Sequence, residues 1–221
     1  MASAAMQVVR AARPRAMAPM RPHRSRGAIL TAARALYRDR PAENVSMEMI
    51  ALRAGLTRRT VYNQFADAAE LYRATREELI FEVVGLVPLR AGGDLPPRAA
   101  LRAYCGLVAL AFVDPRYVEL VGLIVRDGWY APWLAEAYQR HIRVPVAHSL
   151  HFYLQGLWGG TSQDGDVRRT AVNLLAAIEA VSVATRLLPL PDGEAPDGIS
   201  EMIDAFLARL CPPATVCSPQ A

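Results

Sequence analysis

Residues 46–71 read SMEMIALRAGLTRRTVYNQFADAAEL, and the punctuation inside this stretch decides the fold. Met47, Ile50, Ala51 and Ala54 recur at helical spacing, Ser46 is placed to cap their helix, and Glu48 lies in the first turn, where the helix dipole favours an acid. Gly55 ends that helix, because glycine tolerates the left-handed backbone of a tight turn. Leu56 is the apolar pin at the corner, and Thr57 restarts the chain as an N-cap. Two short helices hinged at one glycine make a helix-turn-helix, which points to DNA as the first candidate partner.

At about 100° per residue, Val61 and Phe65 share one face of the second helix, the face that must be buried. Arg59, Thr60 and Asn63 lie roughly opposite, placed to meet a major groove. Arg58 and Tyr62 fall to one side of the buried stripe and Gln64 to the other, suited to phosphates or flanking base edges. Arginine can donate two parallel hydrogen bonds to guanine O6 and N7, and asparagine can pair in the same bidentate way with adenine.

The pattern Ser46-x3-Ile50-Ala51-x2-Ala54-Gly55-Leu56-Thr57-x4-Tyr62-x2-Phe65-x4-Glu70-Leu71, preceded by the helix ILTAARALYRD, closely resembles the DNA-binding domain of the TetR family of transcriptional regulators over about residues 26–72. The resemblance implies that Thr57, Arg58, Arg59, Thr60, Tyr62 and Asn63 lie at or beside DNA, with Tyr62 on a phosphate or a thymine methyl and Gln64 near the backbone. Ser46, which opens the pattern, completes the candidate DNA-binding set. The family's phosphate-gripping lysines after the phenylalanine are replaced here by Ala66 and Ala68. Asp67 remains as a cap, leaving N-terminal amides of the fourth helix as a weaker substitute for a cation. Glu48 stands where some members place a base-reading cation.

Residues 1–26 carry Arg10, Arg13, Arg15, Arg21, Arg24 and Arg26, no acid, and prolines at 14, 19 and 22, a composition that cannot build a core. Residues 1–23 are therefore expected to form a disordered Arg-rich arm. Two readings stay open: an arm that follows phosphates or enters a narrow minor groove, or an extension ahead of a true start at Met17 or Met20. The 221 residues include 52% hydrophobic side chains, enough for a sizeable core, and no run of eighteen apolar residues free of charge. All 25 basic residues are arginine. Through Glu82 there are 14 Arg against 8 acids, a net of +6, and from 83 to 221 there are 11 against 13, a net of −2. The positive half holds the helix-turn-helix. Cys105, Cys211 and Cys217 are odd in number and widely spaced, which fits a reduced cytoplasmic compartment, with Cys105 expected in the core.

The expected architecture is all-α: a three-helix helix-turn-helix domain at 24–72, continuing into a linking helix to about 86, then a larger helical effector-binding and dimerisation domain at 87–210 and a flexible tail at 211–221. Breaks fall at PLRAGGDLPP (88–97), GGTSQDGD (159–166) and PLPDGEAPDG (189–198). The fourth helix, about 68–86, is the expected lever between domains. Helices are also expected at 98–113, 115–127 and 131–157, the last interrupted near Pro145.

Seven of the sixteen aromatics fall between Trp129 and Trp158. With Tyr104, His148, His151 and Gln155 as polar groups, Trp129, Trp133 and Phe152 are expected to line an apolar effector pocket, the alternative being ordinary core. From 167 to 188, Leu174, Leu175, Ile178, Val181, Ser182 and Thr185 form a stripe with small side chains, and Ile203 and Phe206 continue it in the next helix, the alternative for such a stripe being intramolecular core. The resembling family builds its dimer from this helix pair, which implies a homodimer on a near-palindromic double-stranded operator.

No phosphate-binding glycine loop, GxSxG elbow, HExxH or catalytic carboxylate pair is present, which argues against an enzyme, and neither a cofactor, a metal site nor a membrane partner is expected. The reading is a DNA-binding regulator, a repressor released by a small apolar or aromatic effector. The alternative is a ligand-binding or carrier protein of the same fold with weak or lost DNA binding, suggested by Ala66 and Ala68.

Overall fold

The computed structural model describes residues 22–90, 94–158, 164–187 and 197–210. The expected arm, the tail and Cys211 and Cys217 lie outside the described residues, apart from Pro22 and His23 at the start of the first helix. Ten α-helices follow in chain order among the described residues: α1 Pro22–Asp39, α2 Met47–Ala54, α3 Arg58–Tyr62, α4 Ala68–Val84, α5 Pro97–Phe112, α6 Pro115–Asp127, α7 Pro132–Tyr138, α8 Val144–Trp158, α9 Asp164–Leu187 and α10 Asp197–Leu210. No strand occurs among the described residues, so the fold is all-α. The chain divides into two compact units, Met1–Thr75 and Arg76–Ala221, and the division falls inside α4.

The first unit is organised by local chemistry. Ser46 Oγ accepts from Met49 N at 3.2 Å and caps α2. Gly55 adopts φ 67°, the left-handed region that disfavours any side chain. Its N–H bonds to Leu52 O and the Leu56 N–H to Ala51 O at 2.9 Å, the paired closure of a Schellman motif. Thr57 Oγ1 caps α3 through Thr60 N at 3.2 Å. Ile29, Ala33, Ile50, Val61, Phe65 and Leu71 share the core these turns enclose.

In the second unit Leu101, Tyr104, Cys105, Val108 and Phe112 of α5 join Leu120, Leu134, Leu150, Leu154, Leu174, Leu175 and Ile178 in one apolar core. Asp114 caps α6 by accepting from Arg116 N at 2.9 Å, with Pro115 at the first helical position, where no N–H is needed. The interruption expected near Pro145 takes the form of a π-helical turn, Gln139–Arg143, between α7 and α8. The Val144 N–H reaches back to Gln139 O. Widening the turn just ahead of Pro145 accommodates a residue that has no N–H to give and whose ring would crowd the preceding turn.

A polar cluster is buried within this core. The Tyr117 hydroxyl lies 2.6 Å from that of Tyr138 and 3.0 Å from Glu179 Oε1, and Tyr138 also bonds Glu179. Arg143 Nε sits 3.3 Å from the other carboxylate oxygen. Burial, with the Glu179 and Tyr138 charges adding to it, holds the Tyr117 phenol far above its ordinary range, and burial followed by Glu179 does the same to Tyr138. Burial also pushes Tyr104 and Cys105 up to about 12. An unfolded chain ionises these groups near 9.0 for the thiol and 10.0 for the phenols. Above that range the unfolded state binds fewer protons than the folded one, so their contribution to stability is full below it and is lost as pH rises. The urea midpoint is therefore expected to fall between about pH 8 and about pH 11, and Tyr117→Phe should flatten the decline. An unchanged midpoint would show that the phenols do not stay protonated on folding.

Candidate nucleic-acid interface and ligand cavity

The second helix of the helix-turn-helix is short, and its faces divide as its period requires. Val61 and Phe65 are buried, while Arg58, Arg59, Tyr62 and Asn63 are exposed and Thr60 and Gln64 are half-buried. Thr57 and Thr60 hydroxyls lie 2.9 Å apart, so the start of α3 is braced by side chains as well as by its cap. Ser46 and Thr57 are exposed but already occupied as caps, which leaves their remaining hydroxyl capacity for any phosphate.

Three contacts add to what the periodicity indicates. Arg58 Nη1 pairs with Glu48 Oε1 at 3.4 Å, so the acid of α2 steers the first arginine of α3 as well as serving its own helix dipole. Arg26, on α1, lays its guanidinium 4.3 Å from the centre of the Phe65 ring and donates to Gln64 O at 3.3 Å. It therefore clasps the end of the recognition segment, a role that arginine content alone does not reveal. At the start of α4, Glu70 Oε2 accepts from Ala66 N at 2.6 Å and Asp67 Oδ1 from Glu70 N at 2.7 Å. These caps use two amides and set two carboxylates at the start of α4.

The expected effector residues lie in different surroundings. Tyr104 is fully buried, packed on Tyr153 with ring centres 5.0 Å apart and donating to Pro88 O at 3.1 Å. Trp129 is 94% exposed at the end of α6, and Phe152 is 58% exposed. Trp133 packs against the core, and Gln155 is exposed. His148 and His151 line a cavity of about 260 Å³ with Val144, Ala147, Arg168 and Val172.

The expected dimer stripe is also corrected in part. Leu174, Leu175, Ile178, Ser182 and Ile203 are buried within the chain itself, covered by neighbouring helices of the same unit, and so are closed to a second copy. Val181, Thr185 and Phe206 remain half-buried. The opposite face of α9 is the open one: Val172, Ala176, Ala180, Ala184 and Leu187 are exposed along it. Gly165–Leu187 has a mean hydropathy of 1.3 over an eighteen-residue window that is only 33% buried, and by length and composition it is the one described helix that could cross a membrane. Its inward residues serve the helical core instead.

An all-helical chain whose amino-terminal unit presents an arginine-bearing helix on a glycine-hinged turn has the form of a helix-turn-helix DNA-binding protein. Residues 29–75 match the model of the family described as bacterial regulatory proteins, tetR family. The match spans the helix-turn-helix and the start of α4, the segment on which the sequence resemblance rests. No curated protein matches the sequence. Among solved structures, the flavonoid-responsive regulator FrrA is similar at 20% identity and a TM-score of 0.66, covering 85% of this chain and 95% of that one. A TetR-like transcriptional regulator from Rhodococcus sp. RHA1 is similar at 20% identity and TM-score 0.60, covering 90% and 97%. GusR of Salmonella enterica is similar at 20% identity and TM-score 0.60, covering 86% and 97%. These likenesses establish a shared fold along most of the chain.

Proposed function

We propose that the protein is a homodimeric transcriptional repressor that binds a near-palindromic operator and is released by a small effector. The observation that carries this is the outward set on α3: Arg59, Tyr62 and Asn63 are exposed while Val61 and Phe65 hold the helix from behind. Side chains able to read base edges are thus mounted on a buried anchor. Dimerisation is supported by the exposed apolar face of α9, whose small Ala176, Ala180 and Ala184 would let a second helix approach closely. Two-fold pairing would present two recognition helices to two half-sites. Release follows if the effector binds better to a conformer with wrongly spaced recognition helices, since the coupling is reciprocal.

The carrier reading draws on Ala66, Ala68 and the carboxylates of Asp67 and Glu70 at the start of α4, which give no cation to a phosphate. One titration separates the two: the full chain against the DNA upstream of its coding region and against a shuffled copy, at two salt concentrations. A repressor should bind the former more tightly, two chains per site, and lose affinity steeply with salt. Arg59→Ala is expected to weaken the operator by about 1–3 kcal/mol and to relax preference at one base pair, whereas Tyr62→Phe should weaken all sequences more evenly. Weak, salt-insensitive binding to both DNAs would favour the carrier.

A further inference from the structure

The recognition segment carries no net charge. Between Ser46 and Leu71 there are three arginines, Arg53, Arg58 and Arg59, and three acids, Glu48, Asp67 and Glu70. The excess of arginine lies ahead of it, where residues 1–45 hold 9 Arg against 2 acids. Sequence-independent attraction to DNA grows with the number of phosphates a surface can neutralise, so residues 46–71 bring little of it. What they bring is a set of directed groups on α3.

Glu48 governs how much free cation α3 presents. The Ser46 cap fixes the first turn of α2, in which Glu48 stands, and the Thr57 cap fixes the start of α3, which is Arg58. The two caps, on either side of the Gly55 turn, thereby set the acid against the arginine, with Glu48 Oε1 3.4 Å from Arg58 Nη1. Arg59, the other cation of α3, is exposed. One of the helix's two charges is thus offset by an acid built into the neighbouring helix. The separation exceeds the about 2.7–2.9 Å of a charge-assisted hydrogen bond, and the Arg58 side chain is 69% exposed. Arg58 is therefore held by the field of the acid and is not locked, and without Glu48 it can reach any nearby phosphate.

We propose that Glu48 is a specificity-determining residue of the DNA interface, a positioning residue that acts through Arg58. It keeps the guanidinium in one direction and offsets its charge, so that α3 does not grip the phosphates of every sequence alike. This deepens the regulator reading and rests on it. On random DNA the use left to Arg58 is a phosphate, and a carboxylate, which like phosphate only accepts hydrogen bonds, is repelled there and withholds the arginine. On a matching site Arg58 meets a partner at a fixed place, and the direction that Glu48 imposes offsets the cost of bringing an acid close to DNA.

The test titrates the full chain and its Glu48→Gln variant against the DNA upstream of the coding region and against a shuffled copy, over a series of salt concentrations. Glutamine keeps the size of the side chain and removes its charge, and an ion pair so open to water adds little to stability, so the fold is not threatened. Affinity for the shuffled DNA is expected to rise about threefold to fivefold. Its salt dependence should steepen by about one neutralised phosphate. Operator affinity should change by less than about twofold, so the ratio between the two narrows. Adding Arg58→Gln to Glu48→Gln should cancel the gain. Glu43→Gln removes an equal charge from the same unit, in the turn Ala42–Asn44, without touching the Glu48–Arg58 pair, and should leave the ratio unchanged. A ratio that Glu48→Gln does not alter, an equal effect of Glu43→Gln, or a gain that survives Arg58→Gln would each overturn the assignment. A fall in operator affinity alone would overturn it as well, by giving Glu48 a base contact of its own. A parent chain that binds neither DNA, or both alike, removes the regulator reading and this role with it, and that outcome is read before any substitution is made.

Discussion

Asp127→Ala is expected to destabilise the second unit by about 3–5 kcal/mol, a large share of the whole stability of an ordinary domain. Asp127 is the last residue of α6, where the helix dipole disfavours an acid, and it is fully buried. What holds a carboxylate there is its surroundings. Arg76 of α4, only 1% exposed, reaches it at 3.6 Å, Arg126 Nε at 2.6 Å and the Tyr130 hydroxyl at 2.7 Å. Arg126 can turn to solvent when the acid is gone. Arg76 cannot, and the desolvated guanidinium loses the carboxylate that faces it, the kind of change that makes breaking a buried pair costly.

The control is the double substitution Arg76→Met with Asp127→Leu, which removes both charges and keeps apolar bulk. It should recover most of the loss, because a buried pair is often replaced by packed side chains at little net cost. Urea unfolding followed by circular dichroism measures both. A loss under about 1 kcal/mol for Asp127→Ala would mean that water or another acid reaches Arg76 when the carboxylate is removed.

The contrast between this pair and the helix-turn-helix shows which parts of the fold are legible in one dimension. Ser46, Gly55 and Thr57 act on amides within a few residues of themselves, so their positions alone predict the caps and the left-handed turn that the structure contains. Arg76 and Asp127 are distant in sequence, and an arginine on an amphipathic helix reads as a surface residue until its partner is seen. The α9 stripe is ambiguous in sequence for a related reason. Periodicity assigns Leu174, Leu175 and Ile178 to one face but is silent on whether the same chain or a second copy covers it. The exposed face, with Ala176, Ala180 and Ala184, is weaker in hydrophobicity and gives a fainter periodic signal. The aromatics between Trp129 and Trp158 were dense in sequence yet diverge in space, because a cluster in sequence carries no direction. His148 and His151 stayed together since i, i+3 spacing on a helix fixes a common side. Arg168, which lines the same cavity, comes from another helix, which no periodicity links to them.

Phe65→Ala should abolish operator binding while leaving the second unit folded. Phe65 is 1% exposed, at the point where the recognition helix turns back into the core of Ile29, Ile50, Val61 and Leu71. Truncating such a ring typically costs about 3–5 kcal/mol, and a unit of this size has little stability to spare. Two further supports go with the ring: the Arg26 guanidinium loses its π face, and with it the reason to stay within reach of Gln64 O. The exposed Arg59 and Asn63 would survive as residues but lose the anchor that aims them. The distinguishing measurement is a pair of readouts on one sample, operator affinity and urea unfolding, with the helical signal recorded alongside. DNA binding should vanish while the unfolding transition of the second unit and most of the helical signal persist, since its core lies wholly in residues 76–221. Loss of both together would show that the units fold as one cooperative body, with α4, which runs through their division, carrying the coupling. Phe65→Leu separates packing from the cation contact: it keeps apolar bulk and gives up the ring. If it restores the fold but not the operator affinity, Arg26 holds the recognition segment in register through that ring.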